Sequence, residues 1–539
     1  MTSHPRPSTD GSDDSQLPAE APVILSRLSR RQELLLIILL ATAARLIDFT
    51  APYTSQHWIK QLQIAPIARN FALQSPNILW PETDYSADRP SYIEIEFQLV
   101  TWLTALLYRA VGIHEWVGRL VTVSFSIGAV LLLYQLVLMH LGRPAATYAL
   151  VFFSFVPSNW YFSRVLMSEP LMLFFSIGLI YAFCKYLAGP SWSRFVWTGL
   201  CGALCFLVKL PTLMLVIPLY YLAHLRYGVR TLKQGRLWLL AAIAVAPALA
   251  YYWHAHNNIG SQYFTVGVGL GGGMWLSVED FLKPANYSLM AMRFVRQHLT
   301  AVGVVLLPLG ILARRGGKLR LNVFHVWLAA TALYLVLVSG GNLRQNYYQL
   351  PMIPPAAALI GLGWQQLVQS RRFDPAIRPA LLMVFFILCG WGVQPMFEQF
   401  TPILQASRSL AQTDPTGKPV IMFPAGYGCL YYFDRPGWVG REGFGKPPGT
   451  VAPEDVPSPE YIDARIKRGA AWAVYIKPDD HTAQPVVHKY LRDTFRSVTE
   501  DVGYHIFDLS QTRQGRPYVP APPDGPTRRE GSFMLQWSD

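Results

Sequence analysis

Charge is what this chain has least of. Only 15% of its 539 residues are Asp, Glu, Lys or Arg, where a soluble domain carries about 25%. With 52% hydrophobic residues beside them, this composition excludes an ordinary soluble enzyme and points to an integral membrane protein. Cysteine is scarce too. Of the five, Cys184, Cys201, Cys205 and Cys389 lie in apolar runs and Cys429 stands alone in a polar stretch, so neither a disulfide framework nor a Cys/His metal pattern is implied. The apolar run from Leu34 to Ala44 lacks a small-residue cleavage site and reads as a first spanning helix. The glycine-rich run 267–273 lacks both the Lys-Ser/Thr ending of a phosphate loop and a preceding strand, which leaves an outer loop.

What is present in quantity is apolar sequence. A spanning helix needs about 20 mostly apolar residues, and eleven runs qualify as candidates: 33–50, 117–140, 145–162, 168–187, 194–209, 211–225, 237–254, 297–313, 323–339, 347–367 and 379–397. The net charge of +13 does not argue for nucleic acid, because the basic residues gather in short loops between these runs. Arg143, Lys185, Arg226, Arg230, Arg314, Arg315, Arg371 and Arg372 all fall on one side, which the positive-inside rule makes cytoplasmic. The N-terminus is then inside, and residues 51–116 and everything after about 398 lie outside. The expected organisation is a disordered cytoplasmic N-terminus (1–32), a transmembrane domain (33–397), an extracytoplasmic α/β domain (398–510) and a flexible tail (511–539). The α/β expectation rests on strand-like runs at Val420-Ile-Met-Phe, Cys429-Leu-Tyr-Tyr-Phe, Ala471-Trp-Ala-Val-Tyr-Ile and His505-Ile-Phe-Asp-Leu. They alternate with helical segments at Pro459 to Arg468 and Val486 to Arg492.

The long outer loop 51–116 is where chemistry is expected, since a loop of that length in a membrane protein has usually built a site. It carries Lys60, Arg69, Asp84, Asp88, Arg89, Glu94 and Glu96. Three otherwise bare outer hairpins each keep one cation, Arg164, Lys209 and Arg344. Cations collected outside, against the usual bias, indicate an anionic ligand such as a phosphate or diphosphate; for any single one, snorkelling or pairing with an acid is the plainer reading. Arg45 and Asp48 are three apart and share a helix face, as an ion pair would. Glu169 enters a helix, where capping is the plain alternative to a site role. Glu94 and Glu96 alternate about Ile95, placing one inward and the other in solvent. His254 and His256 read as part of an interfacial aromatic belt rather than a metal site.

Several short motifs stand in one order: Ile67-Ala-Arg-Asn-Phe71; Glu96-Phe97 with Tyr108, Gly112 and Gly118-Arg119-Leu120; Arg164 to Leu171; Lys209-Leu-Pro211; Tyr347-Tyr-Gln-Leu-Pro351 with Pro354; and Leu430-Tyr-Tyr-Phe-Asp-Arg-Pro-Gly-Trp438. Together, over about residues 33 to 510, the chain resembles the GT-C class of membrane glycosyltransferases, in particular the bacterial branch related to protein O-mannosyltransferases and the aminoarabinose–lipid A transferase. The resemblance implies a polytopic α-helical fold with a large first outer loop and a small C-terminal α/β domain. It implies transfer of a sugar from a polyprenyl-phosphate donor to a lipid, glycan or protein acceptor at the outer face of the cytoplasmic membrane. No nucleic-acid partner is expected.

Inverting transfer needs a carboxylate to take the acceptor's proton and positive charge on the departing phosphate, from side chains or from a divalent metal. Glu96, Asp48, Asp84 and Glu169 are the candidates for catalysis, and Arg69, Lys60, Arg164, Lys209, Arg344, Gln345 and Tyr347 for binding substrate and phosphate. The chain departs from the pattern at Gln63, where relatives carry an acid, and at Gln345, where His is common. Either the base lies elsewhere, at Asp48, Asp84 or Glu96, or the protein is an inactive lipid-sugar-binding scaffold. A transporter is disfavoured, because no internal repeat or pair of Gly/Pro-broken helices is apparent.

Overall fold

The computed structural model describes residues 29–265, 278–315, 318–319, 321–370, 377–423, 430–439, 457–477 and 485–520; the glycine-rich run 267–273 and Cys429 lie outside them. Helices dominate. The first, Arg30–Arg45, begins at Ser29, whose hydroxyl and the side chain of Gln32 cap each other's backbone N–H groups, satisfying donors that a helix start leaves orphaned.

Among the described residues, four helices are long and apolar enough to cross a membrane: Glu115–Leu141, Glu169–Ala188, Gly235–Gly260 and Pro379–Thr413. A fifth span forms if Pro284–His298 and Thr300–Ile311, bent by 96°, count as one. The other apolar runs contain shorter or broken helices, and in several of them proline is the visible cause. Pro157 divides the run 145–162 into Arg143–Phe155 and Pro157–Phe162, and Pro211 and Pro351 lie in 3-10 turns that precede Val216–Tyr227 and Ile353–Gln369. Proline lacks the N–H that would continue the ladder. The helices close on small residues: a Cβ on Gly310 would lie 1.8 Å from the Leu359 carbonyl oxygen, and one on Gly363 would lie 2.2 Å from that of Leu306. Glycine at both places is what lets Thr300–Ile311 lie directly on Ile353–Gln369.

The 51–116 segment is not an open loop. It folds into the helices Trp58–Leu73 and Leu99–Val111, joined through a short strand β1 (Ile93–Glu94) that pairs in parallel with β2 (Phe264–Thr265). Ten residues of Trp58–Leu73, from Gln61 to Phe71, are buried. A helix enclosed all round shows no amphipathic period, which is why the sequence reads as irregular there. The chain reaches this segment past Arg119, whose guanidinium donates to the carbonyls of Phe49 and Pro52, each at 3.0 Å, and to that of Ala51, while stacking over Tyr53 at 5.0 Å. Arg119→Ala would strip three carbonyls of their donor and is expected to cost about 3 kcal/mol. Thermal unfolding of the purified variant checks this, and an unchanged melting temperature would count against it.

Beyond the bundle lies a five-stranded sheet of β3 (Val420–Phe423), β4 (Gly437–Val439), β5 (Trp472–Ile476), β6 (Phe495–Glu500) and β7 (Tyr504–Thr512), in the order β4-β3-β5-β7-β6. β3 pairs in parallel with β4 and β5, whereas β7 runs antiparallel to both its neighbours. The helices Pro459–Lys467 and Pro485–Thr494 accompany it. Two expectations differ. Leu430 to Phe433 forms a turn, and the strand comes later at Gly437–Val439. β6 was not anticipated, because as an edge strand it carries mostly exposed polar residues.

The sheet is tied to the 51–116 segment. Val439 donates its backbone N–H to Tyr85 O at 3.1 Å, Trp438 Nε1 donates to Asp88 Oδ1 at 3.0 Å, and Arg468 pairs with Asp88 at 3.1 Å. Together with the hydrogen bond from the hydroxyl of Ser86, these donors outweigh the cost of partial burial and hold the Asp88 carboxyl below the usual range.

Candidate functional site

Two ion pairs meet where the 51–116 segment covers the helix ends. Lys60, on the first turn of Trp58–Leu73, reaches Glu96 Oε1 at 3.1 Å and Oε2 at 3.2 Å. Glu96 Oε1 also accepts from Ser168 Oγ at 3.3 Å. Ser168 is the residue before Glu169, which opens the helix Glu169–Ala188, and Glu169 is paired through Oε1 with Lys209. Lys209 sits in the break between Trp192–Val208 and the 3-10 turn Leu210–Leu215. Its ammonium lies over the rings of Tyr347 and Tyr348, at 5.1 and 5.8 Å.

Five of the residues singled out from sequence, Lys60, Glu96, Glu169, Lys209 and Tyr347, therefore share one site. Each comes from a different element, and each sits where a helix begins or breaks.

The electrostatics are those of charges withdrawn from water but mutually compensated. Burial alone would raise the Glu96 carboxyl; Lys60 and Lys209 outweigh it and hold the group down at about 2. Lys209 is withdrawn from water in the same way, with the Glu169 carboxylate as its counter-charge. Glu169 is 1% exposed, and its Oε2 is a buried acceptor without a hydrogen-bond partner among the described residues. That oxygen is the site's unfilled position, and Glu169 also lines a narrow gap with Asn159, Phe162 and Ser163. An unmet buried acceptor of this kind calls for a donor from outside the chain.

The other candidates are placed elsewhere. Arg69 pairs with Asp84, which also accepts from Asn70 Nδ2 at 3.0 Å. Arg69 also donates to Tyr431 O at 3.3 Å and lies over the Tyr431 ring at 5.1 Å. These two fasten the segment to the turn before β4. Asp48 is exposed, and its carbonyl accepts from Ala51 N at 3.1 Å and from Arg164 Nη2 at 2.6 Å; Arg164 itself is buried over Phe397. Arg45 does not pair with Asp48. It turns into the bundle, with Nε on Ser126 Oγ at 2.9 Å and Nη1 on Ser154 O at 3.2 Å, because the chain reverses into a left-handed turn at Asp48 (φ 51°). Arg344 is exposed and Gln345 half-buried, at the end of Ser339–Arg344.

Neither Glu94 nor Glu96 faces solvent. They do point opposite ways, but Glu94 is enclosed by Thr265 Oγ1 at 2.5 Å and His256 Nδ1 at 3.1 Å. His254 packs edge-on against Trp80 and bonds Leu79 O. No group of three or more His, Cys, Asp or Glu that could hold a metal ion occurs among the described residues.

Sequence reasoning missed His57, the residue that begins Trp58–Leu73. It adopts φ 58°, ψ 29°, a left-handed conformation uncommon for a residue with a side chain. Its ring packs edge-on against Tyr347 at 5.1 Å and near Phe162 at 5.6 Å, and its Nε2 lies 2.6 Å from Asn346 Oδ1. No motif flags it, since its signal is conformational.

Comparison with known proteins agrees with this architecture. The model of the dolichyl-phosphate-mannose-protein mannosyltransferase family matches residues 98–254, the stretch that contains Arg164, Glu169 and Lys209. An uncharacterized protein of Aquifex aeolicus (strain VF5) is 30% identical over 315 residues, covering 57% of this chain and 68% of that one. Among solved structures, ArnT from Cupriavidus metallidurans in the apo state superposes with a TM-score of 0.61 at 13% identity, covering 88% of this chain and 97% of that one. The same protein bound to undecaprenyl phosphate gives 0.60 at 14%, covering 89% and 98%. The apo oligosaccharyltransferase of Archaeoglobus fulgidus gives 0.52 at 13%, covering 84% and 70%. At such identities the solved structures speak for the fold, and the family model and the Aquifex relative speak for descent. The chain belongs to the GT-C class of membrane glycosyltransferases.

Proposed function

We propose that this protein transfers a sugar from a polyprenyl-phosphate donor to a lipid, glycan or protein acceptor at the outer face of the cytoplasmic membrane, with inversion at the anomeric carbon. The observation that carries the reading is the Lys60–Glu96 and Lys209–Glu169 pairing beneath Tyr347 and Tyr348, assembled where apolar helices end. A lipid-anchored donor must be met at the bilayer surface, and this is where such a donor's phosphate would arrive. Undecaprenyl phosphate bound to a protein of the same fold supports that class of donor. The two lysines take the departing phosphate's charge, and Glu169 Oε2 receives a hydroxyl from a substrate. The eleven-span count, with the N-terminus inside and the sheet outside, belongs to the same proposal.

One observation favours a second reading, that of a lipid-sugar-binding scaffold without turnover. Both carboxylates at the centre already have lysine partners, so neither is free to act as a base. Purified protein in nanodiscs, given radiolabelled polyprenyl-phosphate sugars and native membrane acceptors, separates the two. Turnover with any donor supports the enzyme, and saturable donor binding without turnover supports the scaffold. Transfer is expected to survive EDTA, because Lys60 and Ser168 occupy the oxygens of Glu96 and Lys209 occupies Oε1 of Glu169, so that a divalent ion would find only Glu169 Oε2 at this centre unless it displaced a lysine. Loss of transfer in EDTA, restored by added metal, would contradict this.

A further inference from the structure

The four carboxylates that sequence offers for catalysis are poorly suited to serve as the base. Glu96 is held at about 2, and a base that weak takes a hydroxyl proton inefficiently. Asp84 is locked to Arg69 and Asn70, Asp48 stands exposed outside the site, and Glu169 is tied to Lys209. We infer that His57 accepts the proton of the acceptor hydroxyl, through Nδ1; this rests on the transferase reading above.

Three observations on His57 carry it. First, its tautomer is fixed. Asn346 gives its Nδ2 to Gln297 Oε1 at 2.7 Å and turns Oδ1 to His57, and in this arrangement the ring nitrogen facing it, Nε2, holds the proton. Nδ1 is then a lone pair, and no group among the described residues engages it. Second, the ring is held in place. The preceding turn is pinned by Tyr161, whose hydroxyl bonds Ser55 Oγ and Gln56 O, each at 2.7 Å, and the left-handed backbone at His57 is a strain that such fastening sustains. Third, it is adjacent to the charged site: the Tyr347 ring is 5.1 Å from both the imidazole and the Lys209 ammonium.

The surroundings keep the ring neutral. Burial lowers its affinity for a proton. Asn346 and Glu169 oppose that, Arg293 adds to it, and the net shift is downward. Lys60, one turn along the same helix, is the other charge nearby, and it is engaged by Glu96.

In the step itself, the acceptor oxygen forms its bond to the anomeric carbon as its proton passes to Nδ1. The bond from that carbon to the phosphate oxygen breaks, and its electron pair leaves with the polyprenyl phosphate, beside Lys60 and Lys209. The imidazolium then returns its proton to water.

The test is the pH profile of transfer by the full-length protein in nanodiscs. His57→Asn retains a residue that tolerates the left-handed conformation but removes the base. It is expected to lower kcat about 100-fold or more, to leave the donor KM within about twofold, and to remove the acid limb of the profile. Asn346→Asp places a carboxylate on Nε2–H, which stabilises the imidazolium. Its acid limb is expected to move to higher pH by about one unit or more, a shift that a purely structural role would not produce. Wild-type turnover with an unchanged rate and limb in His57→Asn, or an unmoved limb in Asn346→Asp, overturns the role of His57 and leaves the transferase standing. Absence of wild-type turnover with every donor overturns both.

Discussion

Lys209→Met is expected to abolish transfer and to destabilise the protein by about 3–5 kcal/mol, the cost of leaving a buried carboxylate without its counter-charge. The carboxylate is Glu169, 1% exposed and already short of a partner at Oε2. Methionine keeps most of the volume of lysine, so the loss is electrostatic rather than a cavity. The double variant Lys209→Met/Glu169→Gln removes both charges and is expected to recover most of the stability, as replacement of a whole buried pair often does, yet none of the transfer. Unfolding midpoints for the two variants, set beside initial rates, give the separation. If the single variant proves as stable as the wild type, Glu169 does not depend on Lys209 for its counter-charge; if the double variant regains transfer, the pair is scaffold and not machinery.

Much of this site could be read from sequence for one reason: charges are rare in an apolar chain and expensive to place at membrane depth. Lys60, Glu96, Glu169 and Lys209 stood out as outer-side charges, the last three also within motifs, and the aromatic pair Tyr347-Tyr348 stood out through a motif. The same reasoning gathered too much. Arg69 and Arg164 are also outward cations, but the structure uses the first to bind segment to segment and the second to hold a backbone carbonyl. Charge counting cannot tell a guanidinium that caps a chain reversal from one that waits for phosphate.

His57 and Ser168 escaped because neither carries a fixed charge, and what marks them is a backbone angle and a neighbour. The fold was legible to a similar depth. Apolar runs located the helices, while the prolines that shorten them, the enclosed helix Trp58–Leu73 and the polar edge strand β6 lack the periodicity on which such reading depends.

Glu96→Gln is expected to divide binding from chemistry. In the wild type, Lys60 is shared between Glu96 and whatever anion approaches. Without that carboxylate the ammonium is fully available, so the donor's phosphate should bind more tightly and KM should fall. Lys60 would then hold the phosphate equally in ground state and transition state, and binding that is uniform does not accelerate the chemical step. The fall in kcat is expected to be about 100-fold, the scale on which single preorganised charges act. Acid sensitivity should change as well. A carboxyl held at about 2 in the folded protein, against about 4.3 when unfolded, contributes stability that is complete above the unfolded value and is lost as pH falls through the folded one. Glu96→Gln should therefore be less stable than the wild type at pH 7 and should lose less of its stability between pH 4 and about 2. Donor titrations, initial rates and unfolding at both ends of that window test the three statements separately. A Glu96→Gln protein with wild-type kcat would mean that the Lys60–Glu96 pair, close as it is, has no part in transfer.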